Sequence, residues 1–95
     1  MENVITEIKD KSLHKMLSLI KTNIIENGKK YCTKQNMIDM MKKADIDKNL
    51  KFYLIQTLDD FINFSITWGI LFDYSTYYEV NEANVELQLS LEETT

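Results

Sequence analysis

Arginine and proline are missing altogether, and glycine, cysteine and histidine are scarce, in a chain of 95 residues. Each shortage removes a class of function. With Cys32 as its one cysteine, the chain closes no internal disulfide. Cys32 and His14 have no neighbours at ligand spacing, so no metal site is expected. Cys32 reads instead as a small, half-buried residue, and His14 as a surface residue of the first helix. Gly28 and Gly69 alone cannot build a phosphate-cradling loop. A serine–histidine–aspartate site would have to use His14, which no marked nucleophile accompanies. Asp59 and Asp60 are adjacent and diverge by about 100° on a helix, so they cannot act together on one substrate atom. The expectation is a protein without catalytic residues or cofactor.

Long apolar runs are absent too. None approaches the roughly 20 residues of a membrane span, and the first residues, Met1 to Glu7, lack a basic-then-apolar leader pattern. No membrane association is expected, and a cytoplasmic location is the default. Hydrophobic content of 44% and charged content of 27% fit one globular domain over residues 1–95 with a single modest core. Lysine supplies every basic side chain. Together with much Asn and Ile, this is the compositional mark of an AT-rich coding sequence.

Basic residues are also missing from one half. The 11 lysines lie between Lys9 and Lys51; residues 1–51 also hold seven acids, leaving that half at +4, while eight acids and no base follow from Phe52 at −8. Two readings fit: separate faces for an anionic partner and a second partner, or two solvated surfaces of opposite sign.

What is present centres on Thr33 to Val80. Thr33 is placed to cap a helix in which Met37, Met41 and Ala44 form a stripe. After Ala44-Asp45-Ile46-Asp47, Asp47 caps a long second helix to Trp68, with Leu50, Leu54, Leu58, Phe61 and Ile62 facing a core. Gln56, Asp59, Asp60, Asn63 and Thr67 form its polar strip, which Phe52 shares. Gly69 stops it. Ile70 and Phe72, a turn at Asp73 to Thr76, then Tyr78 and Val80 read as a β-hairpin.

Before this stretch, residues 12–27 read as a helix capped by Ser12, with Leu13, Met16, Leu17, Ile20 and Ile24 inward and Asn27-Gly28 at its end. Lys30 to Cys32 fits a short strand. Residues 1–11, with Val4, Ile5 and Ile8, fit equally a helical turn on the body or an arm to a second subunit. Beyond the hairpin, Val85, Leu87, Leu89 and Leu91 alternate with polar residues, which favours a further strand and a three-stranded meander. The alternative is a helix capped by Asn81 and running to Glu92. Residues 92–95 read as a frayed tail.

This order resembles a winged helix-turn-helix domain over Leu13 to Val80, similar to small plasmid- or phage-encoded proteins of AT-rich Gram-positive bacteria. Asp45 stands where that family usually has glycine, Met41 where it has a small residue, and Lys51 where it has a buried aliphatic one. The resemblance implies an α+β fold of three main helices followed by a two- or three-stranded antiparallel sheet. It implies a sequence-specific double-stranded DNA-binding protein, acting as a repressor, partition factor or conjugation accessory factor. Asp59 and Asp60 would repel phosphates, so contact belongs to the second helix's first turns: Lys48, Asn49, Lys51, Phe52 and Gln56. Lys34, Gln35 and Asn36 join them, and Tyr74, Ser75 and Thr76 at the hairpin tip touch the backbone or minor groove. A homodimer is expected from the apolar surface that 95 residues must hide. The competing reading is a winged-helix-shaped protein-interaction module, such as a phage-encoded inhibitor of a host protein, using the acidic half. Tyr74, Tyr77, Tyr78 and Phe72 read as hairpin core, with Tyr74 and Tyr77 bracketing the turn and open to partial exposure, and a base-stacking platform as the alternative.

Overall fold

Capping chemistry sets most of the boundaries in the computed structural model, which describes residues 12–93. The expected arm at residues 1–11 and the end of the tail lie outside the described residues.

Helix α1 covers residues 12–20 and widens into a π-helical turn at Lys21–Ile25. Ser12 is itself helical and buried, so it does not serve as the expected cap. Met16, Leu17, Ile20 and Ile24 are buried. His14, expected at the surface, is half-buried. Gly28 closes the helix at φ 74°, where the Lys29 amide donates to the Ile24 carbonyl at 2.9 Å. Strand β1 is Tyr31–Cys32.

Helix α2, Lys34–Lys43, begins in a capping box. The Asn36 amide donates to Thr33 Oγ1 at 3.1 Å, and the Thr33 amide donates to Asn36 Oδ1 at 2.9 Å. Met37, Met40 and Met41 are buried, with Ala44 half-buried where the chain turns extended. Asp47 Oδ2 then accepts from the amides of Asn49 and Leu50 at 3.0 and 3.1 Å, starting α3, Lys48–Gln56.

The single long helix expected to Trp68 is two helices. Thr57 leaves helical geometry at ψ 12°, and its hydroxyl donates back to the Tyr53 carbonyl at 2.8 Å. Such back-bonding bends a helix, and here it separates α3 from α4, Leu58–Thr67. The break lets Leu54 on one side and Leu58, Phe61 and Ile62 on the other reach one core, while Leu50 is half-buried. Gly69, at φ 75°, closes α4 with the Ile70 amide on the Ser65 carbonyl at 2.8 Å.

Ser65 is 0% exposed, and its hydroxyl has no hydrogen-bond partner among the described residues. Ser65→Ala removes that buried group and improves helix propensity, so it is expected to gain about 1 kcal/mol. Urea denaturation measures this; a loss of stability would show that the hydroxyl is satisfied in solution.

Strands β2, Leu71–Asp73, and β3, Tyr78–Val80, form the hairpin, and the antiparallel sheet runs β1-β3-β2. Leu71, opposite Val80, turns inward. Phe72, expected inside, is 43% exposed because Ile70 and Leu71 are both buried at the strand's start.

The segment favoured as a further strand is helix α5, Glu82–Glu93. Positions two apart lie about 200° apart on a helix. The alternation therefore resolves into Val85 and Leu89 inward, and Leu87 and Leu91 outward. The third strand is β1 instead. Among the described residues the result is an α+β fold of five helices and a three-stranded sheet, compatible with a winged-helix-like arrangement. Three helices were expected; the break at Thr57 and the addition of α5 make the difference.

Candidate nucleic-acid interface

The residues expected to meet DNA fall into three places. Lys34, Gln35 and Asn36 occupy the first turn of α2, and each has work there. Lys34 Nζ lies 2.7 Å from Asp59 Oδ1 at the start of α4. Gln35 Nε2 donates to Asp39 Oδ1 at 3.0 Å, and Asn36 completes the capping box.

The second group lies at the other end of α2, about 15 Å away for a ten-residue helix. Lys48, Phe52 and Gln56 follow at spacings of four and line one exposed stripe of α3, with Asn49 beside it. Phe52 is 64% exposed, a large apolar ring standing in water on a helix start. Lys51 is half-buried, and its ammonium donates to the Lys42 carbonyl at 3.0 Å. It therefore ties α3 to α2. Lys42 and Lys43, exposed in the last turn of α2, add charge that the sequence reasoning did not assign to the site.

The hairpin tip is the third place. Asp73 Oδ1 accepts from the Ser75 amide at 2.8 Å, so the carboxylate caps the turn. Ser75 sits at φ 74°, a left-handed conformation that costs a side chain roughly 1–2 kcal/mol. Ser75→Gly relieves this and gives back part of it as unfolded-chain entropy. The expected net gain is about 0.5–1 kcal/mol, read as a higher thermal midpoint; a lower midpoint would contradict it.

Tyr74 Oη donates to Glu79 Oε1 at 3.2 Å, and this bond, with the charge of Glu79, raises the Tyr74 pKa. Tyr74 and Tyr77 stack at 5.2 Å, and Tyr31 meets Tyr77 edge-on at 5.6 Å. Tyr74 and Tyr77 are exposed, as their bracketing of the turn led us to expect in part, whereas Phe72, read as hairpin core, is exposed too, and Tyr31 joins them. The reason is register. Tyr31 and Phe72 both pair with Glu79, on the face of the sheet away from Leu71 and Val80.

A polar groove of about 320 Å³ between the end of α1, β1 and α2 was also missed; Asn23, Asn27, Lys29, Asn36 and Lys43 line it. Its trace in the sequence is Lys29 after Gly28.

Cys32 is 2% exposed, more deeply buried than expected, and burial pushes its thiol up to about 11. It is a core side chain, not a nucleophile at neutral pH. Among the described residues, no three His, Cys, Asp or Glu side chains converge. No helix among the described residues is long and apolar enough to cross a membrane. No protein-family model, curated protein or solved structure matches this chain.

Proposed function

We propose that this is a non-catalytic, sequence-specific double-stranded DNA-binding protein of winged-helix type, serving as a repressor, partition or conjugation accessory factor. The observation that carries the reading is the exposed stripe of Lys48, Phe52 and Gln56, with Asn49 beside it. It stands at the start of the helix that follows α2 through a short turn. A helix entering the major groove by its N-terminal end presents its first turns to base edges. Asn49 and Gln56 offer amide donors and acceptors for adenine, Lys48 a donor for guanine, and Phe52 an apolar surface for thymine methyl groups. Lys42 and Lys43 stand where flanking phosphates would run. Fluorescence anisotropy with an AT-rich duplex at low salt tests this. Binding that fades steeply as salt rises supports it; no binding at about 50 mM salt removes it.

The acid-bearing hairpin favours a second reading, a protein-interaction module such as an inhibitor of another protein. From Phe52 on there is no base, and Asp73 and Glu79 sit where a wing that touches phosphate would carry lysine.

A homodimer fits either reading. Trp68 is 59% exposed and Leu87 54% exposed. The Asn84 side chain, one turn before Leu87 on α5, donates to the Trp68 carbonyl, so the two apolar side chains belong to one end of the molecule. Light scattering at tens of micromolar should give twice the chain mass, and Leu87→Glu should halve it. A monomeric mass for the unaltered protein would refute the pairing.

A further inference from the structure

We propose that the outer face of the sheet, where Tyr31, Phe72, Tyr74 and Tyr77 surround Glu79, is a docking site for an arginine-bearing segment of a partner protein. This gives the protein-interaction reading a partner chemistry, and it does not depend on duplex binding at α3.

Glu79 lies on the middle strand, with Tyr31 opposite it on β1 and Phe72 opposite it on β2. Directly opposed residues on one face of a sheet hold their side chains against each other. Tyr77, two residues before Glu79, continues the same face, and Tyr74 lies over it from the turn. A half-buried carboxylate thus sits among four exposed rings. Its Oε1 accepts from Tyr74 Oη, while among the described residues Oε2 has no hydrogen-bond partner and no cation reaches Glu79. Tyr31 and Tyr77 stand at 83°, which makes two walls of a corner.

Rings with a carboxylate at their centre suit a cation. Ring faces attract cations through the π quadrupole. A guanidinium is planar, stacks on tyrosine and donates to a carboxylate, whereas an ammonium does only the last well. A single-stranded nucleic acid would also stack on the rings, but it would bring phosphates towards Glu79 and Asp73. The neighbouring cleft of about 510 Å³ continues from Phe72 and Glu79 to Glu82 and Glu86. Lys29 and Lys30 line it too, and Lys21 is paired to Glu86 at 3.1 Å. With Lys21 counted, that path carries three lysines and three acids, so the preference for a basic segment rests on Glu79, the acid among the rings, which no cation meets among the described residues.

The test is an NMR titration of the full chain with a capped Gly-Arg-Gly-Arg-Gly peptide at low salt, beside its lysine counterpart and oligo(dT). The arginine peptide is expected to shift Tyr31, Tyr74, Tyr77 and Glu79 resonances and to bind several-fold better than the lysine peptide. Glu79→Gln, which keeps the side-chain shape, should weaken it about tenfold. Tyr77→Phe should bind as the unaltered protein does, and Tyr77→Ala far less. Oligo(dT) shifting these resonances at lower concentration than the peptide would overturn the proposal in favour of a base-stacking platform. No shift with the arginine peptide at millimolar concentration would overturn it as well. A captured protein partner held equally by Glu79→Gln and the unaltered chain would remove this site and leave the interaction reading standing.

Discussion

Replacing Lys34, Lys48 and Lys51 together by alanine is expected to weaken duplex binding about a hundredfold at 0.1 M salt and to flatten its salt dependence. Each phosphate contact contributes a slope of about 0.9 in log affinity against log salt, so one lost contact costs roughly tenfold a decade below molar salt. The three lysines do not share the effect equally. Lys48 forms no salt bridge among the described residues and should account for a full contact alone. Lys34 is paired with Asp59, but with 50% and 75% of the two side chains exposed, such a pair is worth little. Lys34 can therefore swing to a phosphate at small cost, and Asp59→Asn should tighten binding by removing both the competitor and a nearby negative charge. Lys51 is held by the Lys42 carbonyl, so its loss acts on the seating of α3 more than on the phosphate count. Anisotropy titrations across a salt series separate these effects. A triple variant with an unchanged slope would place the DNA surface elsewhere, or nowhere.

The parts of the fold written in local chemistry were legible in advance. Thr33, Asp47, Gly28 and Gly69 each mark a helix end that the structure has, because a cap needs only its own few neighbours. The inward stripes of α1, α2 and α4 followed from spacing alone. The misses come from two ambiguities. One is Thr57, whose effect turns on whether its hydroxyl bonds to the chain four residues back, and nothing in the residue type decides that. The other is the run from Val85 to Leu91, whose alternating apolar residues a strand would gather on one face and a helix divides between two, as it does here. Only the tertiary partner distinguishes the two, and the edge that such a strand would have paired with is taken by Tyr31–Cys32. The candidate site was legible at α3, where an exposed stripe at spacing four needs no tertiary information. It was not legible at the sheet's outer face, because the register that sets Tyr31 and Phe72 against Glu79 joins positions 31, 72 and 79.

The junction between α4 and α5 carries the largest stability effect expected here. Helix α4 ends with carbonyls of Trp68 and Gly69 that no helix turn satisfies. Asn84 Nδ2 donates to the Trp68 carbonyl at 2.7 Å, and Asn81 Nδ2 donates to the Gly69 carbonyl at 2.9 Å. The Asn81 amide donates to the Ile70 carbonyl at 2.9 Å, while its own carbonyl accepts from Asn84 and Val85 and opens α5. Two asparagines three residues apart can reach one helix end together only if the chain between them is helical. Replacing both by alanine leaves the backbone bonds but strands the two carbonyls. Two side-chain bonds at about 1 kcal/mol each, with a further cost for the part-buried Gly69 carbonyl, give an expected loss of about 2–4 kcal/mol. For a domain of this size that lowers the thermal midpoint by roughly 10–20 °C. Asn23 and Asn27 provide the control, since each donates only to a carbonyl four residues back on the exposed end of α1. Their double alanine variant should stay within about 0.5 kcal/mol of the unaltered protein. If the Asn81 and Asn84 variant is equally mild, burial of Val85 and Leu89 is sufficient to hold α5, and the asparagines only decorate the junction.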